Sequence, residues 1–86
     1  MNLSAKHRRT LEAVFREPVP KTLAWRDIAS LLTAIGAVRS ERKGSAIGFH
    51  YCGEKVSFHR PHPGKEAKPY QVRDARKFLS RIGVRP

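Results

Sequence analysis

The sequence predicts an α+β domain in which helices cover one face of a three-stranded antiparallel sheet. Apolar residues recur at helical spacing over residues 23–35 and 69–82, whereas they alternate with polar or small residues over 46–51 and 55–59. Prolines and glycines separate these segments, as is typical of the ends of helices and strands. A chain of 86 residues has room for one small core, so we expect a single domain over residues 1–86.

The first predicted helix spans residues 4–17. Ser4 is a suitable N-cap, because a serine hydroxyl accepts a hydrogen bond from an amide of the first turn. One face of the helix is apolar and consists of Leu11, Val14 and Phe15. Pro18 ends the helix, since proline disfavours helical geometry in the residue before it.

A second helix is predicted over residues 23–35. Its apolar face consists of Trp25, Ile28, Leu31, Leu32 and Ile35. Thr22 is the expected N-cap, and Gly36 suits the left-handed position just past a helix C-terminus. Because Trp25 belongs to the apolar face, we expect it in the core or at an interface, and not as a platform on which bases stack.

Three strands follow, the first over residues 37–41. A two- or four-residue turn between the second and third strands pairs Phe49 with Val56 on the buried side of the sheet. The same register pairs Ala46 with His59 on the opposite side. A three-residue turn would break this match of apolar with apolar positions, so the alternation favours the stated register.

The last helix is predicted over residues 69–82. Pro69 suits a first helical turn, because the amide hydrogen that proline lacks has no intrahelical partner there. Gly83 provides the stop. The inward face consists of Val72, Ala75, Leu79 and Ile82.

The composition favours an anionic partner. Lysine and arginine number 18 against 7 acidic residues, which gives a net charge of +11 and a sequence pI near 11.0. Such a charge repels itself, and nucleic acid would relieve the repulsion best, ahead of an anionic membrane or an acidic protein. No apolar run approaches the roughly 20 residues of a membrane span, and the basic N-terminus lacks a signal peptide's apolar stretch. We therefore expect a cytoplasmic protein without membrane contact.

Two histidines, His59 and His62, are the candidate catalytic residues. A metal site is the first alternative, but zinc needs three or four protein ligands and no acid or thiol lies at a suitable spacing. We therefore expect neither a metal nor another cofactor. RNA cleavage is the second: histidine titrates near neutral pH and can remove the proton of a ribose 2′-hydroxyl, whose oxygen then attacks the adjacent phosphorus. Ordinary surface histidines in a basic binding face are the third alternative.

Basic residues surround these histidines and suit the binding of phosphate. Lys65 and Lys68 precede the helix that begins at Pro69, and the exposed amides of a helix N-terminus attract anions. The alternative for this segment is a solvated, flexible loop. We expect RNA contacts from six residues: Arg42, Lys43, Ser45, Arg60, Lys65 and Lys68.

Five segments carry a family resemblance: Trp25–Gly36, Lys43-Gly44-Ser45, His62, the Lys-Glu-Ala-Lys-Pro run at 65–69, and Arg76–Gly83. Together they resemble the HicA toxins of bacterial and archaeal toxin–antitoxin pairs. The resemblance covers 22–84 and leaves 1–20 as an N-terminal helical extension. It implies a double-stranded-RNA-binding-domain-like fold, with a helix, a three-stranded antiparallel sheet and a helix. It also implies an mRNA interferase that inhibits translation, a HicB-type antitoxin that neutralises it, and a higher-order toxin–antitoxin complex.

The sequence departs from the family just after the Lys-Gly-Ser turn. HicA toxins have a catalytic histidine at the next position, whereas this chain has Ala46, whose methyl group cannot transfer a proton. Three explanations are open: an engineered inactivation, a catalytically impaired protein that still binds RNA, or transfer of the role to a neighbour. The predicted register pairs Ala46 with His59, and residues paired across two strands have Cβ atoms about 5 Å apart. We therefore expect His59 to be the general base, with His62 as the second choice.

Overall fold

The computed structural model describes residues 3–41, 43–62 and 64–86. The elements in chain order are α1 (Ala5–Val14), α2 (Trp25–Ala34), β1 (Val38–Glu41), β2 (Ala46–Tyr51), β3 (Glu54–His59) and α3 (Pro69–Arg81). The strands form one antiparallel sheet in the order β1-β2-β3. The predicted α+β class is confirmed, and the arrangement is compatible with a double-stranded-RNA-binding-domain-like fold that carries an extra N-terminal helix.

Helix α1 begins as predicted but ends earlier than residue 17. The Ser4 hydroxyl accepts a hydrogen bond from the His7 amide at 3.1 Å. At the other end, the guanidinium of Arg76 on α3 donates to the carbonyl of Val14 at 2.8 Å and to that of Arg16 at 3.0 Å. The carbonyls of Val14 and Arg16 are therefore satisfied by a distant arginine and not by a further helical turn.

Helix α2 begins two residues later than predicted, and Thr22 is not its N-cap. The Trp25 amide donates to the Lys65 carbonyl at 3.0 Å, and the Ala67 amide donates to the Leu23 carbonyl at 2.8 Å. These two bonds form a short antiparallel bridge that holds the chain extended just before the helix. The same bridge fixes the loop between β3 and α3 against the start of α2.

The far end of α2 follows the prediction. Gly36 has a φ of +105°, and its amide donates to the Thr33 carbonyl at 3.0 Å. The next amide, of Ala37, donates to the Leu32 carbonyl at 3.0 Å. This pair of bonds is the Schellman motif, in which glycine takes the left-handed position at no steric cost.

The predicted register of the hairpin is confirmed. Phe49 pairs with Val56, and Ala46 pairs with His59. The turn at 52–53 has two residues, both with positive φ, of 50° and 81°. Two-residue turns with positive φ match the twist of the strands that they join, so this turn holds the register.

The core lies between the helices and one face of the sheet. Its largest fully buried apolar side chains are Val14, Ile28, Leu31, Leu32, Ile47, Phe49, Val72, Phe78 and Leu79. Helix α1 is part of this core, since Val14 is 0% exposed and Leu11 only 5%. The other face of the sheet carries exposed polar side chains. Within the described ranges, no helix is long and apolar enough to cross a membrane.

Candidate functional site

His59 is the last residue of β3, and its side chain is exposed. Its Nδ1 lies 3.4 Å from the Ser45 hydroxyl, and the Arg60 amide donates to the Ser45 carbonyl at 3.2 Å. These two contacts join the end of β3 to the turn that precedes β2. The sheet therefore brings together three predicted site residues and places Ala46 opposite His59.

A buried glutamine connects His59 to helix α3. Gln71 is only 1% exposed, and its Nε2 donates to the His59 carbonyl at 2.7 Å. Its Oε1 accepts a hydrogen bond from the Lys68 amide at 2.9 Å. The end of β3 and the start of α3 are thus joined through one side chain that the sequence analysis did not single out. The signal available was a glutamine at the third helical position after Lys68, where such a side chain reaches back to the cap amide.

The side chain of His62 is exposed, and so are those of Lys43, Lys65 and Lys68. Arg42, the sixth predicted RNA contact, lies outside the described residues. Among the residues that the structure describes, no group of three or more histidine, cysteine or acidic side chains is placed to hold a metal ion.

Arg60 is already in contact with a carboxylate. Its guanidinium donates to the Glu41 carboxylate at 3.2 Å, and Arg39 approaches the same oxygen at 3.4 Å. The side chains of Arg60 and Glu41 are 53% and 66% exposed, so water screens this pair. An exposed ion pair contributes little free energy, so separating Arg60 from Glu41 would cost the fold little stability.

The open sheet face carries a second histidine at the opposite end of the hairpin. His50 pairs with Lys55 beside the turn, and both side chains are exposed. His50 stands four residues along β2 from Ala46, a distance of roughly 13 Å. It is therefore too far from the His59 end of the hairpin to act on the same phosphate.

Comparison with known protein families identifies the chain. A family model described as the HicA toxin of bacterial toxin–antitoxin matches residues 25–84, which run from the start of α2 to just past the end of α3. The matched range contains the Lys-Gly-Ser turn, both candidate histidines and the loop lysines. Neither the curated proteins nor the solved structures contain a match. The resemblance noted in the sequence is confirmed, and this chain belongs to the HicA family of toxins from bacterial toxin–antitoxin systems.

Proposed function

We propose that this toxin is a metal-independent endoribonuclease, an mRNA interferase that cleaves mRNA and so inhibits translation. The observation that carries the proposal is the placement of His59. It lies directly across the ladder from Ala46, the family's catalytic position, and beside Ser45 of the Lys-Gly-Ser turn. A histidine at this end of the sheet replaces the one that the sequence lacks.

The chemistry follows from what an imidazole and nearby cations can do. In the tautomer that carries its proton on Nδ1, His59 donates to the Ser45 hydroxyl, and Nε2 of the same ring is then the nitrogen that can accept a proton. Nε2 removes the proton of a ribose 2′-hydroxyl, and the oxygen attacks the adjacent phosphorus. The bond to the 5′-oxygen breaks, and that oxygen takes a proton from His62 or water. The products are a 2′,3′-cyclic phosphate and a 5′-hydroxyl.

Cations around the site supply the remaining stabilisation. In this proposal Lys43, Lys65 and Lys68 hold the substrate phosphates, and Arg42 and Arg60 are further RNA contacts. Positive charge placed where negative charge develops on the phosphate lowers the barrier without a metal ion. The high net charge of +11 also speeds the encounter with RNA.

The direct test measures cleavage of mRNA by the purified protein in EDTA. We expect cleavage by the parent and a loss of about 100- to 10,000-fold in His59→Ala, the range that general acid–base groups contribute. His50→Ala is the matched control, because it removes a histidine from the same sheet face at a distant position. An absence of cleavage by the parent, at concentrations where it binds RNA, would contradict the proposal.

A second candidate function is RNA binding without cleavage, and Ala46 is the observation that favours it. Such a protein would occupy mRNA and arrest growth weakly on expression. Restoring the family residue with Ala46→His discriminates the two functions. A sharp gain in growth arrest, with no cleavage by the parent, would establish the binding function for the protein as it stands.

We also propose that a HicB-type antitoxin neutralises this toxin, in the cytoplasm where mRNA is found, within a higher-order complex. Family membership and the excess of positive charge support an acidic or nucleic-acid-like partner. RNA and antitoxin then compete for the same cationic surface. The competition is measured by titrating a toxin–RNA complex with the antitoxin, and simultaneous binding of both would contradict it.

A further inference from the structure

A cleft of about 770 Å³ opens beside the candidate site. Residues of α1 and α2 form part of the wall, and β1 and the loop after β3 form the rest. Arg60, the residue next to His59, lines it. The cleft therefore reaches the end of β3 on the helix-covered side of the sheet, where Arg39 pairs with the core residue Phe49, whereas His59 pairs with Ala46 on the open side. Its volume is in the range of pockets that enclose small ligands.

The side chains that line the cleft are rich in positive charge. Four are cationic, namely Arg26, Arg39, Arg60 and Lys65, and none is acidic. One carboxylate, of Glu41, pairs with Arg39 and Arg60 from outside the lining. This excess of cations favours an anionic ligand. The apolar part of the lining is built from small or flat groups, including Ala29, Ala34 and Pro61, which leave room for a flat body.

Trp25 lines the cleft and carries a buried donor without an acceptor. The residue is only 6% exposed, and its indole Nε1 is buried without a hydrogen-bond partner among the described residues. The ring is fixed by an edge-to-face contact with Phe58, at 6.2 Å between centroids, and by Arg39 at 6.0 Å from its centroid. Buried polar groups in proteins are nearly always hydrogen-bonded, so a ligand that shifts the ring and supplies an acceptor would satisfy this donor.

We propose that the cleft receives one unpaired nucleotide of the bound RNA, with its base in the cleft and the phosphates that flank it on Arg26 and Lys65. This inference rests on the proposed function and adds a subsite that holds one unpaired nucleotide. Base edges offer the acceptors that Trp25 Nε1 lacks, and the phosphates suit the cations. Sequence-reading proteins engage single-stranded RNA with bases splayed out in this way.

The test uses the fluorescence of Trp25, the only tryptophan in the chain. The probe is a short single-stranded RNA with 2′-O-methyl riboses, which binds but cannot be cleaved by the 2′-oxygen. We expect it to change the Trp25 emission, and we expect adenosine monophosphate to compete where inorganic phosphate at the same concentration does not. An unchanged emission at saturating RNA would overturn the inference. The same RNA as a duplex should bind without the emission change.

Two variants locate the binding in the cleft. Ala34→Leu fills it without a change of charge, and Ala5→Leu, at an exposed position of α1, is its control. Arg26→Ala removes a cation from the cleft, and Arg8→Ala removes one from the surface of α1. We expect the cleft variants to raise the Kd about fivefold or more and the controls to leave it within about twofold. For Arg26→Ala, the slope of log K against log salt should fall by about 0.7, the value for one phosphate contact with a single strand.

The outcomes separate this inference from the proposed function. A parent that changes emission with the methylated RNA but does not cleave ordinary RNA supports the cleft and contradicts the enzyme. Full RNA affinity in Ala34→Leu overturns the cleft, whether or not the parent cleaves. If that variant keeps RNA affinity but loses affinity for the cognate antitoxin, the cleft is a protein-docking site and the inference is wrong. His59→Ala should lose cleavage and keep the emission change.

Discussion

The two ends of the β2–β3 hairpin differ in what surrounds their histidines. At the turn end, His50 faces Lys55 on an exposed strand pair. At the open end, His59 contacts Ser45, and its backbone is held by buried Gln71. Both histidine side chains are exposed, but of the two only His59 makes hydrogen bonds with other side chains among the described residues. Fixed geometry on the scaffold distinguishes a candidate general base from a surface histidine.

The first prediction tests whether His59 is the general base and whether a histidine at position 46 can replace it. His59→Ala should lower cleavage by about 100- to 10,000-fold, and adding Ala46→His to that variant should restore at least a tenth of the parent rate. The reason is that opposed residues of the ladder place their side chains about 5 Å apart on the same face. Single-turnover cleavage of a defined RNA measures both. A double variant as inactive as His59→Ala, with RNA affinity unchanged, would contradict the idea that one position can replace the other.

A second prediction concerns the region outside the family match. Leu11 lies on α1 and is 5% exposed in the same core as α2 and α3. Leu11→Ala should lower the free energy of unfolding by about 2–5 kcal/mol, the cost of truncating a buried leucine. Urea unfolding followed by circular dichroism measures it, with Glu12→Ala on the exposed side of α1 as the control. A change below about 1 kcal/mol would mean that α1 is an appendage and not part of the core.

A third prediction tests the link that braces the open end. Gln71→Leu leaves the His59 carbonyl and the Lys68 amide without their side-chain partner, and should cost about 1–3 kcal/mol of unfolding free energy. Gln71→Glu keeps an acceptor for the Lys68 amide, but it replaces the donor to His59 with an oxygen and puts a carboxyl group at a buried position. We therefore expect Gln71→Glu to retain the cap of α3 and still to slow cleavage, measured well below the unfolding temperature. Parent-like cleavage in both folded variants would show that the link does not position His59.

How well the sequence predicted each structural element depends on how far apart in the chain the interacting residues lie. The hairpin register followed from local alternation and a two-residue turn, and Gly36 ended α2 where a left-handed residue was expected. Errors arose where distant segments intervene. The bridge to the loop at 65–67 delays the start of α2, and Arg76 takes over the carbonyls at the end of α1. Neither contact produces a recognisable pattern in the sequence near the helix end that it alters.

The same distinction applies to the candidate site. His59 was found because the register placed it opposite Ala46, and register is a local property. Gln71 was missed because its partner lies 12 residues away, on another element. The cleft could not be predicted because its walls come from four segments that are distant in the chain: α1, α2, β1 and the loop after β3. The roles of His62 and the lysines stay predictions that the experiments address.

A fourth prediction compares the lysines near the two ends of the β2–β3 hairpin. Lys65→Ala and Lys68→Ala remove cations beside the open end, and Lys55→Ala removes one beside the turn. Each loop variant should weaken RNA binding several-fold and lower the salt slope by about 0.7, because a phosphate contact releases counterions. Lys55→Ala should leave the slope nearly unchanged. Fluorescence anisotropy at several salt concentrations gives the slopes, and equal slopes for all three variants would remove the distinction between the two ends.

The fifth prediction, with the smallest effect, concerns the Glu41 carboxylate, which pairs with two arginines. Glu41 contacts both Arg39 and Arg60, and it therefore competes with a phosphate for them. Glu41→Gln should tighten RNA binding by about two- to threefold, while the free energy of unfolding changes by less than about 0.5 kcal/mol, since exposed ion pairs contribute little. Glu12→Gln removes the same charge from the exposed surface of α1 and controls for net charge. If both variants tighten binding equally, the gain comes from overall charge, and Glu41 does not compete with RNA for Arg60.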